Sequence, residues 1–208
     1  MIKELRNEFE DIKTSHKDFV FLQGDKQILI SAPHTVYQLR NGNLKFPEPE
    51  TALIALLLNR IGYPCIIKTT NENDDANYDE SSNYKDKIQN ICNSQDIKFI
   101  LDLHQINKYH IEEFCIGTGK NVFNNLLNYS YLKEKILDHF YLNGFIAKLD
   151  EPFGASSKNT ISGYFARKSI PSLQLEMNTK ILYQVTDDKF MKAFDSVCGM
   201  IHIIENEF

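Results

Sequence analysis

The strongest constraint on this chain is a series of short apolar runs separated by longer stretches with helical spacing. Ile28-Leu29-Ile30 has apolar side chains at consecutive positions, and Ile97–Leu103 is the clearest such run. A strand of that kind has no solvent face, so it must be covered on both sides. Phe19–Leu22, Pro64–Lys68, Glu113–Ile116, Phe145–Leu149 and Ser172–Met177 add further strand signals. Between them lie helix signals. Ile2, Leu5, Phe9 and Ile12 recur at helical spacing over residues 1–16, and Pro49-Glu50 opens a helix that stops at Gly62. Further helices are expected near Tyr84–Cys92, Tyr131–Leu142, Asn159–Lys168 and Lys189–Glu205, with a polar loop over Asn71–Asn83. Strands alternating with helices predict an α/β sheet with helices on both faces. No internal repeat or linker interrupts the 208 residues, so one domain over 1–208 is expected, with the 1–16 helix packed on it.

Composition removes several function classes. Net charge is -5 and no basic run reaches five residues, which leaves no electrostatic footprint for a nucleic acid. Cys65, Cys92, Cys115 and Cys198 are far apart in sequence and form no C-x-x-C pair, which argues for reduced thiols over a disulfide framework or a cysteine metal site. The charged first ten residues have no apolar signal core, and no apolar stretch approaches the roughly 20 residues of a membrane span. A cytoplasmic protein with no membrane partner is expected.

In open α/β sheets, ligands gather at the carboxyl ends of strands. Three of the expected strands end in residues that bind metals or move protons. The first runs into Ala32-Pro33-His34, the second delivers Asp102 and His104, and the third carries Glu176. Two imidazoles and a carboxylate leave a position for water, the composition of a catalytic zinc site. Glu176 lies in an apolar strand, where a carboxylate is costly unless it is paired, hydrogen-bonded or near a metal. A buried salt bridge is its plain alternative. Asp102 alternates with His104 on one strand face and suits a carboxylate behind an imidazole, or else a cap or ion-pair partner. His16, His110, His139 and His202 lie on expected helices or loops without a carboxylate at a useful strand end, so they read as structural or solvent-exposed. G-x-S-x-G, H-E-x-x-H, P-loop and G-x-G-x-x-G patterns are all absent.

From about Ile28 to Tyr183 the order of motifs resembles the N-formylglutamate amidohydrolase family, within the zinc-carboxypeptidase-like group. The resemblance rests on Ala32-Pro33-His34, Lys45-Phe-Pro-Glu48-Pro-Glu-Thr51, Asp75-Ala-Asn77-Tyr78, Leu101-Asp102-Leu103-His104, Glu151-Pro152-Phe153-Gly154 and Gln174-Leu175-Glu176-Met177-Asn178. It implies a three-layer αβα sandwich with a mixed, mostly parallel sheet. It also implies one zinc ion on His34, Glu48 and His104, with Glu176 as general base. The implied activity is hydrolysis of an amide beside a carboxylate on a small substrate. Three positions depart from the pattern. Tyr37 stands where peptidases of the wider group have their carboxylate ligand, so Glu48 or Glu50 must supply it, and spacing to Lys45 and Thr51 favours Glu48. Tyr78 replaces an arginine, and Gly154-Ala155-Ser156-Ser157 alters a glycine-rich stretch.

The mechanism expected is attack by a zinc-activated water on an amide or formamide carbonyl, with Glu176 taking a proton and returning it to the leaving nitrogen. Arg40 and Arg167 are candidates to face the oxyanion or a substrate carboxylate, and Asn77 and Asn178 to orient the substrate. Surface arginines, a turn residue and a strand-end cap are their plain alternatives. A metallopeptidase or cell-wall amidase of the same chemistry, and a non-catalytic binding domain, are the rival functions.

Overall fold

The computed structural model describes residues 1–15, 18–71 and 73–208. His16 therefore lies outside the described residues. In chain order the elements are α1 (Ile2–Ser15), β1 (Phe19–Leu22), β2 (Ile28–Ala32), β3 (Gln38–Arg40), β4 (Asn43–Lys45), α2 (Glu50–Arg60), β5 (Cys65–Lys68) and α3 (Asn83–Ser94). There follow β6 (Phe99–Ile106), β7 (Phe114–Gly117), α4 (Leu132–Leu142), β8 (Ala147–Leu149), α5 (Ile161–Ala166), β9 (Ser172–Asn178), α6 (Thr179–Leu182) and α7 (Asp187–Glu205).

Seven strands form one sheet in the order β1-β5-β2-β6-β9-β7-β8. The central strands β5, β2, β6 and β9 run parallel, β1 and β7 pair antiparallel with their neighbours, and β8 runs parallel to β7. This is the expected αβα sandwich with a mixed, mostly parallel sheet.

The strand pleat divides the core in two. Ile28, Ile30, Leu101, Leu103, Leu173 and Leu175 join the larger apolar layer, under α1, α2, α4, α6 and α7. Leu29, Ile66 and Ile100 point the other way, where Tyr84, Ile88 and Ile91 of α3 and Ile161 and Phe165 of α5 cover them. Side chains alternate along a strand, so Asp102 and His104 share the face of Ile100, and Glu176 shares the face opposite Leu173 and Leu175. That second layer is the thinner one, and it leaves the C-terminal halves of β6 and β9 accessible from above.

Helix starts follow side-chain capping. Ser82 accepts from Lys85 N at 3.2 Å to open α3, Thr160 accepts from Gly163 N at 3.0 Å to open α5, and Thr186 accepts from Lys189 N at 3.4 Å to open α7. No helix among the described residues is long and apolar enough to cross a membrane.

Two features differ from the sequence expectation. Strand β6 continues to Ile106, so His104 sits inside the strand and not just past it. Its pairing with β9 holds the extra length, with His104 opposite Glu176 and Ile106 opposite Asn178. Residues 38–45 form a hairpin, β3–β4, whose two-residue turn is Asn41-Gly42, both at positive φ. That is the preferred chemistry of a tight hairpin turn.

Candidate metal centre

His34, Glu48 and His104 each offer one ligand atom, and these atoms lie within 4.8 Å of one another. The three come from different levels of the chain. His34 follows β2, His104 lies near the end of β6, and Glu48 precedes α2. The Glu48 backbone is pinned on both sides. Its N–H donates to His34 O at 2.8 Å, and its carbonyl accepts Thr51 N at 3.1 Å and Thr51 Oγ1 at 2.6 Å. Its Oε1 meets His34 Nδ1 at 3.1 Å, and Oε2 meets His104 Nδ1 at 3.1 Å and accepts from Gln105 N at 3.0 Å.

Both rings present Nδ1 to the cluster and Nε2 to a carboxylate behind it. His104 Nε2 lies 3.0 Å from Asp102 Oδ2, and His34 Nε2 lies 2.8 Å from Asp75 Oδ1. A carboxylate on the far nitrogen fixes ring orientation and keeps the proton there, so the other nitrogen is free to bind a cation. These carboxylates are themselves held. Asp102 accepts from Ser31 Oγ at 2.9 Å, and Ser31 Oγ lies 3.2 Å from the Tyr84 hydroxyl. Tyr84 in turn donates to Ile66 O and accepts from Ala32 N. Asp75 accepts from Asn77 N at 3.0 Å, Arg40 Nε at 2.8 Å and Arg40 Nη2 at 2.7 Å.

The electrostatics follow from this crowding. Burial disfavours the charged form of His34, but Glu48 and Asp75 outweigh it and raise its pKa to about 9. His104 is driven well above the ordinary range against the same burial, by Asp102 and Glu48. Burial would raise Glu48, yet the two histidines bring it down to about 2. Asp75 is likewise pulled below the carboxylate range against its burial, by His34 and Arg40. The same carboxylates that favour the charged form of each ring would be met by a divalent cation in place of the Nδ1 protons. The donor set fits such an ion.

Glu176 is 6% exposed and lies beside this cluster. Its Oε1 accepts from Gln174 Nε2 at 2.8 Å. Burial raises its pKa to about 7, the range suited to a group that both takes and returns protons near neutrality. Glu50, the other candidate carboxylate, points away and pairs with Arg6 Nη2 of α1 at 3.0 Å.

A cleft of about 600 Å³ opens over the cluster, lined by His34, Glu48, His104 and Glu176 at its floor. Arg40 and Asn77 also line it. Asn77 Oδ1 accepts from Ile161 N, and its Nδ2 lies 3.0 Å from His104 Nε2. Both residues sit against the cluster, with Arg40 bound to Asp75.

The structure does not bring Arg167 or Asn178 to the cleft. Arg167 follows α5, where its Nη1 donates to Gly163 O at 2.8 Å and its guanidinium lies over the Phe123 ring. Asn178 is fully buried and serves as a cap, with Oδ1 accepting Lys180 N at 2.9 Å and Nδ2 donating to Glu112 O at 2.7 Å. His110, read as structural or solvent-exposed, lines the cleft instead. Asp75 belongs to the Asp75-Ala-Asn77-Tyr78 motif, but nothing in that motif signals its contact with His34. Lys45 and Lys120 line the cleft as well, and nothing in their local sequence marked them.

No protein-family profile and no curated protein sequence matches this chain. Solved structures do. The fold is similar to that of a bacteriophage poly-γ-glutamate hydrolase, with 12% identity, a TM-score of 0.59, and 96% of this chain and 97% of that one covered. It is similar to gene product Atu2144 from Agrobacterium tumefaciens, with 10% identity, a TM-score of 0.63 and coverage of 98% and 100%. It is also similar to a metallo-carboxypeptidase from Burkholderia cenocepacia, with 11% identity, a TM-score of 0.57 and coverage of 96% and 69%. At such identities the likeness establishes a shared fold, the αβα sandwich with a mixed, mostly parallel sheet.

Proposed function

We propose that this protein is a metal-dependent amidohydrolase that cleaves an amide or formamide bond of a carboxylate-bearing, N-formylglutamate-like substrate. The observation that carries this reading is the paired clamp. Two Nδ1 atoms and a carboxylate converge at the floor of a cleft while each Nε2 is held by its own buried carboxylate. A non-catalytic domain has no need of that arrangement together with a buried, proton-exchanging Glu176 beside it. The similar folds include a poly-γ-glutamate hydrolase and a metallo-carboxypeptidase, which point the same way.

His34, Glu48 and His104 would hold one divalent ion, zinc by the nature of the ligands. Such an ion supplies Lewis-acid activation of a water and of the scissile carbonyl. Asp75 and Asp102 keep the two rings in one tautomer and orientation. Glu176 accepts a proton from the attacking water and returns it to the departing nitrogen, which its pKa near 7 permits in both directions. Arg40, already on the cleft wall, contributes positive charge toward a substrate carboxylate or the developing oxyanion, and Asn77 orients the amide.

The test is hydrolysis of N-formyl- and N-acetyl-glutamate by protein loaded with zinc, followed by chelation and metal readdition. Turnover that chelator removes and zinc restores supports the reading. No turnover on any N-acyl amino acid by fully loaded protein would overturn it.

A further inference from the structure

The cleft carries charges that the proposed chemistry leaves unused. Lys45 and Lys120 both line it and both are exposed. Neither has an ion-pair partner among the described residues. The carboxylates on the lining are Glu48 and Glu176, both in the catalytic floor. In a chain of net charge -5, Lys45 and Lys120 put two positive charges on the rim of this cleft.

Lys120 is held there at a conformational cost. Its φ is +43°, between Gly119 at +110° and Asn121 at +60°. Left-handed backbone disfavours a residue with a Cβ, and such strain persists where the surroundings impose it. The surroundings here are the 150–157 loop. Gly119 N donates to Gly154 O at 2.7 Å, and a Cβ on Gly154 would lie 2.5 Å from the Lys120 Cβ. The bare Gly154 is what lets the lysine stand at this wall.

Lys45 ends the hairpin that follows β2 and belongs to the separate two-stranded sheet, and Lys120 lies in the loop after β7, so the two reach the cleft from different elements. The cleft they share has a volume of about 600 Å³, room for more than one residue of an extended chain. Phe46 is 85% exposed beside Lys45, and Phe153 is 45% exposed near Lys120, offering an apolar surface next to each lysine.

We propose that the cleft takes an extended polyanionic amide, an oligomer of carboxylate-bearing residues that meets both Lys45 and Lys120, in preference to a single N-acyl amino acid. The proposal rests on the amidohydrolase reading for the bond cut, and on the two lysines for recognition.

The test uses the full-length Glu176→Gln protein, so that binding is read without cleavage. Fluorescein-labelled tetraglutamate, α-linked and γ-linked, is compared with labelled single glutamate and with tetraglutamine by fluorescence anisotropy. At least one of the tetraglutamates should bind tenfold or more tighter than glutamate and tetraglutamine, with affinity falling as salt is raised. In Lys45→Ala and Lys120→Ala the ratio of tetraglutamate to glutamate affinity should fall about fivefold each, and Lys189→Ala, which lies outside the cleft, should leave that ratio unchanged. Equal affinity for glutamate and both tetraglutamates, or a ratio indifferent to both cleft lysines, overturns the proposal. Turnover of N-formylglutamate without any length dependence would sink this inference while leaving the amidohydrolase reading intact. Lysine-dependent oligomer binding with no turnover would do the reverse.

Discussion

The floor and the rim of the cleft are built by opposite means. On the floor the three candidate ligands are each held by further partners. Glu48 is fixed by two rings and a main-chain N–H, and each ring by a buried carboxylate that other donors then secure. Asp102 and His104 stand on the buried strand β6 and His34 directly follows β2, while Glu48 precedes α2 and Asp75 lies in the loop before α3. The rim is made of the β3–β4 hairpin and the loops around residues 119 and 153, and its cations Lys45 and Lys120 reach into solvent. A site that must hold reacting atoms to a fraction of an ångström needs the rigid part. A surface that must select a substrate can sit on loops, because long-range charge tolerates looser placement.

Substitutions on the two regions should therefore fall on a steep gradient. His104→Ala is expected to abolish metal retention and with it all turnover, a loss beyond a thousandfold, and circular dichroism should show the fold intact. Glu176→Gln should keep the metal but lower kcat by a factor of about 10² to 10⁴. If instead Glu176→Gln lost the metal, the division between ligands and base would be wrong.

Removing the carboxylates behind the rings should act one level down. Asp75→Asn and Asp102→Asn should each weaken metal affinity about 10- to 100-fold, measured by competition with a chromophoric chelator. Tyr84→Phe removes the hydroxyl that serves Ser31, Ile66 O and Ala32 N. Leaving the buried Ala32 N–H unpaired should cost about 1–3 kcal/mol, read as a lower Tm with metal affinity nearly unchanged.

The pH response separates floor from rim as well. With its pKa raised to about 9, His34 must shed a proton to take a metal, and so must His104, which is driven up in the same way. Metal affinity should accordingly rise with pH from 6 to 9. Calorimetry in buffers of different ionisation enthalpy should show up to two protons released per ion. In metal-free protein the sign is opposite. The stabilisation from charged His34 is complete below its unfolded pKa of about 6.5 and is lost as pH climbs through about 9. Metal-free Tm should fall over that interval while metal-loaded Tm does not. A rim substitution such as Lys45→Ala should leave both trends as they are.

The contrast also explains what could be read from the sequence. The strands of the floor were legible because continuous apolar runs admit few other structures, and their ends delivered His34, His104 and Glu176 to one neighbourhood. Glu48 is legible only through the resemblance, by its spacing to Lys45 and Thr51 in that motif, because hydrophobic pattern does not separate it from Glu50. What separates them is tertiary, the Arg6 partner on α1. Asp75 was illegible for a related reason. It sits in a loop, and its contact with His34 depends on how the 71–83 segment folds over β2. The hairpin was missed although Asn41-Gly42 between Leu39 and Leu44 is a turn signal, because a pair of three-residue strands has too little periodicity to register. Arg167 offers a positive charge and Asn178 an amide at a strand end, the side-chain types such a site uses. Local geometry claimed both, one by the last turn of α5 and one as the cap of α6.

The most direct check on the account is the metal content of the purified protein after zinc loading and desalting. Wild type and Glu176→Gln should each retain about one zinc per chain, and His104→Ala and Glu48→Gln should retain little. A wild-type protein that holds no metal after loading, or a His104→Ala protein that holds as much as wild type, would contradict the assignment of His34, Glu48 and His104 as a metal centre.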